Sequence, residues 1–497
     1  MSSNTSTAEP LSSGLNFKLS TMMFLQYAVW GAWLPLLWPF LAGHRGFDAS
    51  QIGAMFAWGA IGAIVAPFIA GQIADRWFNT EKFLAISHIF GGILVWQLAS
   101  LETYTEFRNF SVLYSLVYSP TLSLTNSLAF HHLPDRDRDF SRVRVWGTIG
   151  WIVVGIGIGQ WLLHQHTPAD VSVEAVAMAQ AAGMADAFKV SGALGILMGI
   201  FCFFLPSTPP AKSNEKLAIF VAIKEIMKKP LIWLFMKRTE ANPEVHRLEI
   251  DRNALMALFL IAVPISCIHQ FYFVHTAPFL GQFQNQAEGF INIVNKIVGV
   301  GGGGLMTIGQ MAEIGVLALM PLLAKKFSRK TLLCTGIAAY TLRMFLFAYG
   351  PMFPADLQLP AIILGVSMHG FCFGCFIFVA FMVVDEECSA DVRASAQSLF
   401  NLVIVGIGII VGSLIAGQVA EAATGYGGTM NYTMLFSIPM VAGFVCLVWM
   451  LVFYPHRKPG MAPGNFEFAP VEIEQDSGDD QGDAELASSD EETSAEN

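Results

Sequence analysis

The stretch ASAQSLFNLVIVGIGIIVGSLIAGQVA, residues 394–420, contains no Asp, Glu, Lys, Arg or His. A helix rises 1.5 Å per residue, so about 20 apolar residues cross the roughly 30 Å hydrocarbon core of a bilayer. This run is long enough, and it is not alone. Similar blocks occupy, to within several residues, 17–41, 50–73, 82–102, 108–131, 144–165, 187–206, 253–277, 303–323, 331–350, 358–384 and 430–454. The reading is therefore an all-α integral membrane protein with twelve transmembrane helices. The whole composition agrees. Of the 497 residues 54% are hydrophobic and only 13% charged, where a soluble domain carries about 25% charged residues.

The spans divide into two sets of six. The expected organisation is a disordered N-terminus at 1–16 and an N-terminal six-helix bundle at 17–206. A cytoplasmic linker at 207–250 follows, then a C-terminal six-helix bundle at 251–455 and an acidic disordered tail at 456–497. The formal charge of −10 arises in the tail, where twelve acidic residues fall between Glu467 and Glu496 and no Lys or Arg follows Lys458. Acidic, apolar-poor composition of that kind solvates rather than folds. In the linker, Leu217 to Met227 reads as a short helix lying on the membrane surface, with Lys224, Lys228 and Lys229 reaching to headgroups. The start is Ser/Thr-rich, with no basic segment ahead of a short apolar core, so no cleaved leader is expected. Seven scattered cysteines imply no disulfide framework.

Orientation follows from the basic residues. With both termini in the cytoplasm, 23 Lys and Arg fall on that side and four (Arg45, Arg108, Lys189, Lys296) on the other. Basic loops stay inside. Two six-helix halves joined by a basic cytoplasmic loop point to the major facilitator design, in which substrate binds at the midplane between halves. The expected location is a bacterial inner membrane, as a monomer.

Ionisable groups deep in a span cost about 2.5 kcal/mol or more on insertion scales, so those present are candidates for function. Glu313 is the one carboxylate near mid-span, with Gln310 three residues earlier on the same face. Arg343 lies well inside the ninth span, and Arg144, Thr148 and Trp151 form one stripe of the fifth. By hydropathy alone Arg144 reads as an interfacial anchor. His131, His132, Asp135, Asp137 and Asp139 read as a solvated turn rather than a metal site, and Gly301 to Gly304 as an external loop or a hinge. No phosphate-cradling loop, zinc-protease or nucleophile-elbow pattern is present. An ATP-driven pump and a membrane hydrolase are thereby disfavoured, and neither a cofactor nor a nucleic-acid partner is implied.

Gly71-Gln72-Ile73-Ala74-Asp75-Arg76 resembles the signature loop of the major facilitator superfamily, with Phe78-Asn79-Thr80 in place of its usual Gly and basic run. Five further patches resemble the nucleoside:proton symporter family. They are Phe24-Leu25-Gln26-Tyr27 with Trp30 to Leu34, Pro120-Thr121-Leu122, Arg144 to Gly150, Leu342-Arg343 with Leu346 to Gly350, and Val392 to Gln397. The resemblance implies a secondary transporter, not an enzyme, that takes up nucleosides with protons by alternating access. It places Arg144, Thr148, Gln270, Gln310, Glu313 and Phe373 at the family's substrate positions, with Trp151 in place of a Phe. On this ground Arg144 becomes a cavity residue. Phe273 stands where the family has Asn, Gly374 where it has Asp, and His369 where it has Tyr; Phe273 and His369 are taken as further substrate contacts. Glu313 is the expected proton-coupling residue, and Asp75, Arg76, Arg343 and Arg393 the expected gating or structural residues. The alternatives are a carrier of another small polar solute, such as a sugar or amino-acid derivative, or a transport-dead sensor or scaffold.

Overall fold

The computed structural model describes residues 10–65, 78–210, 243–285, 289–387, 397, 399–425 and 429–455. Ala462–Asn497 lies outside the described residues, as do the expected 217–227 surface helix, Asp75, Arg76 and Arg393. The N-terminal half holds α1 (Ser13–Trp33), α2 (Leu37–Gly43), α3 (Ala49–Gly59) and α4 (Thr80–Leu98). It continues with α5 (Tyr104–His132), α6 (Arg136–Gln165), α7 (Val173–Gly183) and α8 (Ala185–Cys202). The C-terminal half holds α9 (Pro243–Gln284), α10 (Gly289–Val298), α11 (Gly303–Lys326), α12 (Arg329–Tyr349) and α13 (Ala355–Ser367). Next come α14 (His369–Phe371), a π-helical segment Cys372–Phe378 and α15 (Val379–Glu387). A second π-helical segment, Leu402–Gly408, leads into α16 (Ile409–Ala423), and α17 (Tyr432–Phe453) ends the bundle.

Helix occupies the described part of each of the twelve expected spans. Eight of the described helical segments are long and apolar enough to cross a membrane. Two boundaries differ from expectation. The first helix begins at Ser13, inside the expected disordered segment, because the Ser12 hydroxyl accepts from the Leu15 N–H and caps it. Helix in the seventh span is described from Pro243, inside the expected linker. Other helices also start on side-chain caps: Asp48 with Gln51 forms a capping box, and Ser172, Ser328 and Asn431 each accept from a first-turn N–H.

Small residues allow the helices to approach closely, as expected where lipid supplies no hydrophobic drive between them. Along α8, Gly192, Gly195 and Gly199 face α4; a Cβ on Gly195 would lie 3.0 Å from Gly92 Cα, and one on Gly199 2.8 Å from the Ala85 carbonyl oxygen.

The same device joins the two halves. A Cβ on Gly53 of α3 would lie 2.5 Å from Gly417 Cα of α16, and one on Gly155 of α6 would lie 3.0 Å from Thr307 Cγ2 of α11. The Val300 N–H donates to the Gly159 carbonyl at 3.0 Å, a main-chain bond from one half to the other. Gly299, Gly301 and Gly302 have φ of +77°, +85° and +82°, conformations that favour glycine. Gln284 pins this turn: its amide donates to the Gly299 carbonyl at 2.7 Å and its Oε1 accepts from the Gly302 N–H at 2.7 Å. The glycine run is thus a buried, hydrogen-bonded turn feeding α11 rather than a loose external loop. These contacts all lie at the end of the bundle where α1 and α6 finish and α11 begins. Replacing Gly53 by Val should hold that end apart. Spin labels at Ser50 and Glu421 should report a longer mean distance in Gly53→Val than in the parent, and an unchanged distance would show that the contact is not tight.

Candidate functional site

The wall contributed by the N-terminal half is α6. Arg144, Thr148 and Trp151 follow one another at helical spacing, and each is partly exposed. Glycines set α6 against α1. A Cβ on Gly150 would lie 2.2 Å from the Phe24 carbonyl oxygen, and one on Gly31 would lie 2.9 Å from the Trp151 ring. With α6 held this close, the Arg144 guanidinium lies 4.1 Å from the centroid of the Tyr27 ring, a cation–π contact that holds the side chain inside the bundle. Trp30 meets Trp151 edge-on, centroids 5.9 Å apart.

The expected residues of the C-terminal half lie on three elements. α9 carries Gln270 and Phe273, α11 carries Gln310 and Glu313, and the α14–π segment carries His369 and Phe373. Trp151 and Phe273 face each other across the two halves at 6.5 Å, nearly perpendicular. Gln270 and Gln310 are each 5% exposed. The Oε1 of Gln310 is buried without a hydrogen-bond partner, and Gln270 makes no side-chain hydrogen bond among the described residues. Buried polar groups are ordinarily paired, so the Gln310 oxygen is an acceptor left open. Glu313 lies with its Oε2 3.5 Å from His369 Nε2.

Arg343, expected as a gating or structural residue, has no exposed surface. Its guanidinium sits 4.2 Å from the Tyr272 ring centroid and 5.0 Å from that of Tyr340, and it reaches His369 Nδ1 at 3.3 Å. Its Nε and Nη2 have no partner. His269, Tyr272 and Tyr340 belong to the same cluster. The Tyr340 hydroxyl and His269 Nδ1 are 2.6 Å apart. His269 was visible in the sequence only as one of several histidines in spans. Nothing in the pattern marked the tyrosines, since an aromatic residue in an apolar run looks like packing.

The Gly374 position has a specific occupant. A Cβ there would lie 2.6 Å from Val316 Cγ1 of α11; Val316 fills the space a side chain at 374 would need. The π-helical turn around it, Cys372–Phe378, is the kind of bulge that recurs at functional sites. Gly374→Asp should therefore lower the detergent melting temperature, overpacking alone costing about 1–3 kcal/mol. Adding Val316→Ala should recover part of the loss. Equal melting of the parent and the single variant would show that α11 gives way.

A family model described as nucleoside H+ symporter matches residues 13–458. YegT of Escherichia coli (strain K12), provisionally named a nucleoside transporter, is 32% identical over 447 residues, covering 88% of this chain and 93% of YegT. The nucleoside permease NupG of the same organism is 26% identical over 453 residues, 89% of this chain and 97% of NupG. The crystal structure of NupG superposes with a TM-score of 0.70 at 24% identity, covering 89% of this chain and all of that one. A D-xylose–proton symporter superposes at 0.62 with 14% identity, covering 89% and 98%.

Proposed function

We infer the working of the site from one premise: the chain belongs to the nucleoside H+ symporter family, a family of multi-pass membrane transporters rather than enzymes. It is a secondary transporter that takes up nucleosides together with protons. We propose that the nucleoside binds between α6 and the α9–α11–α14 wall. The observation that carries this reading is the buried, unpartnered amide oxygen of Gln310, together with the Trp151–Phe273 contact between the two halves. Amides fix the polar edges of base and ribose, and aromatic rings cover the faces of the base. Arg144 and Thr148 add donors from the opposite half, and Phe373 closes the wall.

Transport proceeds by rocking of one half against the other around this site. In the proposed topology both termini are cytoplasmic, in a bacterial inner membrane, and the protein works as a monomer surrounded by lipid. The glycine contacts of Gly53 with Gly417 and of Gly159 with Val300 then seal the outward end, so the conformation described is one that releases to the cytoplasm. Opening outward separates those backbones. Glu313 couples the proton to substrate, because a group whose protonation differs between the two states biases the equilibrium between them by its differential binding.

Uptake into proteoliposomes, with a panel of nucleosides, free bases and sugars as competitors, tests the recognition reading. Trp151→Ala should raise the nucleoside concentration for half-maximal uptake roughly ten- to a hundredfold, the size of a lost base–aromatic stack. Competition by free ribose should not change, and an equal loss for ribose would remove Trp151 from base binding. Gln310→Ala should weaken nucleosides by about 0.5–1.5 kcal/mol, as for a hydrogen bond between neutral groups.

Glu313→Gln addresses coupling separately. It should abolish accumulation driven by an imposed pH difference yet leave nucleoside exchange measurable, since Gln keeps the shape and one acceptor. A variant that still concentrates nucleoside in response to the gradient would show that Glu313 only packs or binds.

A further inference from the structure

One imidazole separates the buried Arg343 guanidinium from the Glu313 carboxylate, and the chemistry of the three groups leaves it little choice of role. Arginine has only N–H donors, so at the 3.3 Å contact with Arg343 Nη1 the His369 Nδ1 has to accept. A neutral imidazole carries one N–H, and with Nδ1 accepting, that proton sits on Nε2. Nε2 is the atom 3.5 Å from Glu313 Oε2.

The ring cannot easily turn away. Tyr272 stacks on it at 4.8 Å and 15°, and His269 at 5.6 Å and 28°. The helices are seated by glycines: a Cβ on Gly309 would lie 3.0 Å from His369 Cβ, and one on Gly370 would lie 2.8 Å from the Glu313 nitrogen. Glu313 thus faces Arg144 from α6, and His369 with Arg343 behind it. The imidazole faces His269 and Tyr272 from α9 and Arg343 from α12, and Tyr340 lies against Arg343 and His269.

We propose that Arg343 is a positioning residue for coupled transport: it fixes His369 as the Nε2–H tautomer, so that His369 donates to Glu313 and does not accept its proton. This rests on Glu313 being the coupling carboxylate. An ionised Glu313 is drawn to the Nε2–H, because such a charge-assisted bond prefers about 2.7–2.9 Å. Protonation removes most of that pull and frees the carboxyl to turn toward the substrate. The carboxyl position then reports its own protonation, and the proton carried stays on Glu313.

Nitrogen-15 NMR of histidine-labelled protein in lipid nanodiscs reads the tautomer directly, the His369 signals being those lost in His369→Gln. The wild type should show Nε2 protonated and Nδ1 bare, and Arg343→Met should release the ring to a mixture or to the opposite tautomer. A wild type with Nδ1 protonated, or a tautomer unchanged in Arg343→Met, overturns the proposal. The wild-type spectrum needs no variant, so a misfolded Arg343→Met still leaves it open to refutation. In proteoliposomes, Arg343→Met and His369→Phe should lower gradient-driven uptake roughly tenfold or more, the scale of a hydrogen bond to a charged partner. His369→Gln should retain more uptake than His369→Phe, because its amide still donates; equal loss in the two would overturn the donor role. Gradient-driven accumulation by Glu313→Gln would refute the coupling reading and leave the tautomer result standing.

Discussion

A guanidinium that stays charged and never reaches solvent has to be compensated inside the bundle, and Arg343 is such a group. Its compensation is spread over two tyrosine faces and one imidazole nitrogen, with no carboxylate at ion-pair distance among the described residues. That arrangement constrains what surrounds it. Tyr272 and Tyr340 must present ring faces, which fixes α9 and α12 about the guanidinium. His369 must present an acceptor, which fixes its tautomer and aims its N–H at Glu313. Glu313 can then lie partly buried between a donor on its own half and the Arg144 charge on the other. Removing Arg343 would alter each of these orientations in turn, so the ion at the back of the wall organises the polar groups at its front.

The fold was readable because lipid forces one solution on the backbone. Inside a bilayer every N–H and C=O must be paired within the segment, so an uncharged run such as residues 394–420 has few alternatives to a helix. The part that misled was local. The glycine run at 301–304 has the composition of a loose loop, yet its positive-φ glycines and the Gln284 side chain fold it into a buried turn. Gln284 is seventeen residues away from Gly301, and no local pattern connects them.

Legibility of the site was uneven for a similar reason. Glu313 and Arg343 stood out because charge in a span is costly, and Gln310 because it shares a helical face with Glu313. Thr148 and Trp151 could be ranked with Arg144 by spacing alone. Gln270, Phe273, His369 and Phe373 had no such signal; their candidacy came from family resemblance, and of the four Phe273 and His369 are in ring contact. Tyr272 and Tyr340 were invisible at both levels. Their importance lies in the ring faces they turn to Arg343, a property of three-dimensional placement that no periodicity encodes.

Two of the departures that the sequence resemblance implies, Phe273 and His369, meet in space. Phe273 replaces a polar residue, and its ring contacts Trp151 on one side and the His269–His369 pair on the other. Gly374 lacks a carboxylate, and Val316 occupies the space beside it. Phe273 sets an apolar ring against His369, and Glu313 is the carboxylate that lies at its Nε2. An imidazole at 369 suits that setting. It can accept from the guanidinium on one nitrogen and donate to the carboxylate from the other, its two polar atoms lying on different sides of one ring. On the proposed reading, the path between the Arg343 cation and the Glu313 carboxylate runs through the His369 imidazole.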